Sequence, residues 1–138
     1  MKASMMLTAL LVAGCAAQPV TSPAPGASWS AKELGDPVAA RWSLADPHAS
    51  PDPGATELAL AIVEVPCSSD SPIEGRTEAP VIETNATSVT ITIKVRQLVG
   101  IQFCPIKPWP MTVRLPEPLG RRQLLDGGQV PPAPLRVP

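Results

Sequence analysis

The chain has 138 residues, enough for one modest core, and its formal net charge of −1 supplies no positive field to collect phosphate backbones. Nucleic acid is therefore excluded as an expected partner. Three Trp, one Phe and no Tyr leave any stacking platform or sugar-binding cleft resting on one or two rings.

In chain order, the first segment is Met1-Lys2 followed by a mainly apolar run from Ala3 to Val12, then Ala13-Gly14-Cys15. A basic end, a short apolar stretch and small residues make a secretory leader, too short to span a bilayer stably. Val12-Ala13-Gly14-Cys15 resembles the lipobox of bacterial lipoproteins and stands where that family places it. The resemblance implies cleavage between Gly14 and Cys15 and a diacylglyceryl thioether on Cys15, with the mature chain held on the outer face of a cell or outer membrane. Two departures from the family pattern are a single Lys in the basic region and Val at the first lipobox place. The alternative is an ordinary signal peptide that ends at a cysteine.

Residues 15–55 read as a tether. Nineteen prolines are present in the chain and seven fall from Pro19 to Pro53, a density that opposes a helix or a central strand. Such a segment buries too little to offset its ordering entropy. Two islands interrupt it, Trp29 to Leu34 and Val38 to Leu44. Each reads as a short helix docked on the domain or as a partner-binding segment in the arm. His48, the single histidine, lies between prolines and reads as a solvated loop residue.

Residues 56–127 read as a β-rich domain. Glu57 to Val65 carries Leu58, Leu60 and Ile62 on one face and Ala59, Ala61, Val63 and Val65 on the other, which predicts a central strand covered on both sides. Pro80 to Thr84 is a shorter strand, and Asn85-Ala86-Thr87 is a polar turn that returns the chain as a hairpin. In Ser88 to Leu98, Val89, Ile91, Ile93 and Val95 share one face while Thr90, Thr92, Lys94 and Arg96 take the other, a half-buried antiparallel strand. Gly100 to Cys104 and Met111 to Leu115 are further short strands. Four to six strands at this spacing predict an all-β fold, a small antiparallel sandwich or open barrel. Residues 128–138 read as a Pro-rich tail.

The stretch from Val113 to Gly127, a strand followed by Pro118-Leu119-Gly120-Arg121 and then Leu124-Leu125-Asp126, resembles the closing segment of small exported β-domains in high-GC bacteria. The likeness extends loosely over residues 57–127. It implies a fold and no activity.

With Cys15 committed to lipid, Cys67 and Cys104 form an even pair that an oxidising compartment would bridge. Closing a loop of about 38 residues stabilises by roughly 4 kcal/mol in the chain-entropy model. A metal or redox pair is disfavoured, because the C-x-x-C spacing and a neighbouring histidine are both missing, and no cofactor is expected.

Catalysis of the Ser-His-Asp kind would need an imidazole that the tether cannot orient. Glycoside hydrolysis would need two facing carboxylates, whereas Glu57, Glu64, Glu74, Glu78, Glu83, Glu117 and Asp126 are spaced as solvated surface residues. Asp70 with Glu74 is too sparse for a calcium loop. Two features suit binding. Trp109 stands between Pro108 and Pro110, either as a rigid anchor for a partner or folded over the end of the core. Arg121 and Arg122 pair with Asp126 or face anionic headgroups. The expected function is therefore non-catalytic, a surface lipoprotein whose β-domain binds or scaffolds an envelope protein or small ligand. The alternative is an envelope enzyme, or an accessory subunit of one, acting on cell-wall or carbohydrate substrates.

Overall fold

The computed structural model describes residues 29–67, 70–100 and 106–135. Seven strands follow in order: β1 Leu34–Leu44, β2 Glu57–Val63, β3 Val81–Thr84, β4 Ser88–Leu98, β5 Trp109–Arg114, β6 Gln123–Asp126 and β7 Ala133–Pro134. The fold is all-β. The strands join in one open sheet, β5-β2-β1-β4-β6-β7, with β3 on the other edge of β4.

Register shows why one face is dry. Trp42 stands opposite Ile62, Leu44 opposite Leu60, Ala40 opposite Ile93, and Leu58 opposite Val113. Ile82 stands opposite Ile91, and Val89 opposite Leu124. Because side chains alternate with period two, each pairing puts apolar groups on the same side of the sheet. Leu60, Ile62, Ile91 and Ile93 are fully buried there, together with Ile73, Leu115 and Leu119 from the connections. With no helix among the described residues, the dryness of this face requires the sheet to coil and its loops to cover it.

Several expectations hold. Residues 88–98 form the alternating strand that was read from the sequence, with Val89, Ile91, Ile93 and Val95 inward and Lys94 and Arg96 exposed. The polar turn is made as the residues suggest. Asn85 Oδ1 accepts from the amides of Thr87 and Ser88, both at 2.8 Å, and β3 pairs antiparallel with β4. β2 lies between β1 and β5, but only its even-numbered face is dry, since Ala59 is exposed and Ala61 and Val63 are half-buried.

The tether expectation is corrected. Val38 to Leu44 is neither helical nor part of a loose arm but the second half of β1. Val38, Ala40, Trp42 and Leu44 take one side and Ala39, Arg41 and Ser43 the other, a period-two pattern that the surrounding prolines obscure. Pro37 fits because the register with β4 shifts between Leu34 and Pro37. The tail is corrected in the same way, for Ala133–Pro134 is β7 and Leu135 packs against the core. Among the described residues the strand count is seven rather than four to six, and the sheet is mixed, since β6 runs parallel to β4. Of the strand expected over Gly100 to Cys104, residues 101–104 lie outside the described residues.

Two further devices close the domain. Main-chain amides of Leu115, Leu119 and Gly120 donate to the carbonyls of Thr56, Ala55 and Pro53, which latches the stretch after β5 to the entry of β2. Residues 76–78 extend the outer edge of β4, with Glu78 N donating to Lys94 O at 2.9 Å and Arg96 N to Arg76 O at 2.8 Å.

Candidate functional site

β4 changes neighbour halfway along one edge. Its residues 93–98 pair with β1, and its residues 88–91 pair with β6. Where the exchange happens, β1 turns away toward β2, and Trp42 fills the fork. The residue is 4% exposed, and its Nε1 donates at 2.9 Å to the main-chain carbonyl of Ile91. The same carbonyl accepts from Gly127 N, so strand and wedge share one acceptor. Gly127 and Gly128 sit so close to β4 and β1 that a Cβ on Gly128 would collide with the Ala40 carbonyl, and one on Gly127 with the Thr92 hydroxyl.

Beyond this fork the surface opens into a hollow of about 580 Å³ between Arg41–Leu44 on one wall and Asp126, Gln129 and Ala133–Leu135 on the other. A second hollow of about 300 Å³, with Arg121, Arg122, Leu119 and Leu124 in its lining, shares Leu44 and Leu135 with the first. The two adjoin as one trough, lined about equally by polar and apolar atoms in its first part and mainly by apolar atoms in its second.

Its charges are unevenly spent. Asp126 is buried and occupied locally, Oδ1 accepting from Gly128 N at 2.8 Å and Oδ2 from Gln129 Nε2 at 3.1 Å. Arg122 is occupied as well, by the Glu117 carboxylate and by the carbonyls of Pro118 and Leu119. The expected pairing of Arg121 or Arg122 with Asp126 is thus corrected. Glu117 and the two carbonyls lie within five residues of Arg122, whereas Asp126 points inward from β6. Arg41 and Arg121 are exposed and have no acidic partner among the described residues.

The remaining candidates are scattered. Trp109 begins β5 opposite Ile62 and packs on the core, with Lys107 Nζ 4.3 Å from its ring centroid. Its Nε1 is shielded from solvent with no acceptor among the described residues. It lines neither hollow. His48 is an exposed turn residue whose amide donates to Asp46 Oδ1. Cys67 is half-buried beyond β2. Gly14, Cys15 and Cys104 lie outside the described residues.

Reading all the carboxylates as solvated missed a buried ion pair. Glu64, 5% exposed, meets the guanidinium of Arg76, 1% exposed. Arg76 also donates to three carbonyls, those of Pro72 at 3.0 Å, Ser71 at 3.0 Å and Arg96 at 2.9 Å. Its guanidinium lies 5.7 Å from the ring centroid of Trp29, and the Trp29 Nε1 donates to Glu74 O. This knot fastens the 71–78 connection to the sheet. It is structural in character, because its donors are consumed by main-chain oxygens. Among the described residues no group of three or more His, Cys, Asp or Glu is placed to hold a metal ion. The large hollow gathers one carboxylate, Asp126, where a hydrolytic pair would need two.

Compared with known protein families, curated proteins and solved structures, the chain matches none.

Proposed function

We propose that this chain is a lipid-anchored exported protein whose small β-domain binds a partner at the cell envelope without catalysing a reaction. The observation that carries the anchor is the Val12-Ala13-Gly14-Cys15 motif directly behind a basic and apolar start. On this reading Cys15 is the acylated first residue of the mature chain. More than one acyl chain at about 0.8 kcal/mol per buried methylene then holds it firmly on the membrane. A disulfide at Cys67 belongs to the same reading, because structural disulfides persist in the oxidising compartments that export reaches. We pair Cys67 with Cys104, a bridge from the end of β2 to the connection between β4 and β5. The trough beside Trp42, with two exposed arginines on its rim, supports binding as the domain's work.

The test is the Cys15→Ser chain expressed in a lipoprotein-processing bacterium beside the wild type. Wild type is expected in the membrane fraction carrying labelled palmitate, and the variant as unlabelled precursor or soluble protein. Membrane retention of both without label would refute the anchor. Thiol labelling of the exported chain should find Cys67 and Cys104 blocked until reductant is added, and a reactive Cys104 before reduction would refute that pairing.

A further inference from the structure

We infer that the trough beside β1 takes an extended peptide with acidic side chains, which adds as a strand to the open edge of Arg41–Leu44. The inference rests on the binding part of the proposed function and is independent of the lipid.

Main-chain direction supplies the first argument. Ala45 N donates to Ala59 O, and Ser43 and Arg41 stand opposite Ala61 and Val63, so the odd-numbered residues turn their amides and carbonyls toward β2. In an antiparallel ladder the alternate residues turn theirs to the opposite edge. Ala40 meets Ile93 of β4 there, but past Ala40 β4 has already passed to β6. The edge carrying the Trp42 and Leu44 main chain therefore faces the hollow of about 580 Å³ rather than a strand, with the Leu44 carbonyl accepting from the Ser43 hydroxyl at 3.2 Å. Four residues of open edge span roughly 13 Å, which suits the central four or five residues of an added strand, with its ends reaching past the edge. Such an edge is a template for strand addition.

Charge selects the occupant. Arg41 lies beside the open edge, and Arg121 lies in the adjoining hollow beyond Leu44 and Leu135. Neither has an acidic partner among the described residues, and the neighbouring carboxylates are each engaged by a local donor, Asp126 in the interior and Asp46 and Asp52 at the surface. Asp126 is held by Gly128 and Gln129, Asp46 by the His48 amide, and Asp52 by the Gly54 amide. A strand with a carboxylate near each end would place one at each arginine, and its apolar side chains would lie over Leu44, Leu124 and Leu135.

The experiment uses the full chain with three blocked heptapeptides. The first is Glu-Ile-Thr-Val-Thr-Ile-Glu, the second has Lys in place of both Glu, and the third is the first with alternate amides N-methylated. Titration calorimetry is expected to show saturable binding of the first, at least tenfold weaker binding of the second, and none of the third. In the Arg41→Glu/Arg121→Glu chain the preference should invert toward the Lys peptide. Both arginines are exposed, so an unchanged urea midpoint checks that this variant is folded. Equal binding of the Glu and Lys peptides, an unchanged preference in the double variant, or binding of the methylated peptide would overturn the inference. So would no binding of any peptide up to 1 mM, a probe limit of about 4 kcal/mol in affinity. Concentration-dependent dimers that the double variant abolishes would assign the edge to a second copy and overturn it too. Cys15-dependent palmitate labelling in the same preparations would leave the anchor standing whatever the peptides do.

Discussion

Arg76→Met keeps much of the buried stem while removing the guanidinium that faces Glu64 and serves the carbonyls of Pro72, Ser71 and Arg96. Both side chains are almost completely shielded, at 0% and 3% exposure, so the charge left on Glu64 would be poorly solvated. Removing one partner of such a pair typically costs about 3–5 kcal/mol, a large share of the 5–15 kcal/mol that holds a domain together. Glu64→Gln should cost less, about 1–3 kcal/mol, because Arg76 keeps its three carbonyl acceptors. The two changes share one knot, so the double variant should fall short of their sum by more than about 1 kcal/mol. Urea unfolding followed by tryptophan emission, under oxidising conditions, measures all four chains, since urea leaves the charges unscreened. Glu57–Arg114 is the control, a cross-strand pair at 2.7 Å whose side chains are 51% and 85% exposed, and Arg114→Met should cost under about 1 kcal/mol. If Arg76→Met cost no more than Arg114→Met, the knot would not be holding the 71–78 connection and the energetic argument would fail.

Trp42→Phe should destabilise by about 1–3 kcal/mol through the lost bond to Ile91 O, whereas Trp109→Phe should cost less because the Trp109 indole donor meets no acceptor among the described residues; the difference in urea midpoint checks this. Gly128→Ala drives a Cβ into the Ala40 carbonyl, while Gly35→Ala meets nothing nearer than 3.4 Å, so Gly128→Ala should cost at least about 2 kcal/mol more by the same assay. The Glu33 carboxyl titrates below the ordinary carboxylate range because the Ser30 hydroxyl, and then the Ser30 amide, donate to it. Its folded value lies below its unfolded value, so its contribution to stability is present above the unfolded value and is lost as pH falls through the folded one. Carboxyl NMR should place Glu33 below the ordinary glutamate value, and Ser30→Ala should move it upward, while an unmoved titration would remove the bond from the account.

How much was legible follows from how local each signal is. β4 was readable because four β-branched side chains alternate with polar ones across its length, and the hairpin because Asn85 makes its turn within three residues. β1 was hidden by composition. Its pattern uses two alanines and a tryptophan where valines would have announced a strand, and Pro37 inside it is tolerated only at a register shift that no single-strand pattern reveals. β6 and β7 are too short, at four and two residues, for alternation to speak. Glu64 and Arg76 are twelve positions apart in sequence and meet only through the fold, so the spacing placed Glu64 at the surface and gave no reason to single out Arg76. Arg121 and Arg122 look alike in sequence, yet one is occupied by Glu117 and the other is open to the trough, a difference set by the turn at Gly120, whose φ of +67° is the left-handed conformation.

The trough is a consequence of topology rather than of special residues. A strand as long as β4 has two edges to satisfy, and β1 covers only the upper half of one because it must bend to reach β2. β6 completes that edge from the parallel direction, and two adjoining strands of different origin cannot continue in line, so a fork opens between them. Trp42 seals the depth of the fork and Gly127-Gly128 let the two walls approach, which leaves the shallow part open along Arg41–Leu44. The core therefore ends where the groove begins, on one side chain. Trp42 is at once a buried wedge bonded to Ile91 and part of the trough wall, so a strand added to β1 would be laid directly against the element that fixes the sheet's change of neighbour. Occupancy of the groove would then be linked to stability by mass action, with each tenfold excess of ligand over its dissociation constant adding about 1.4 kcal/mol.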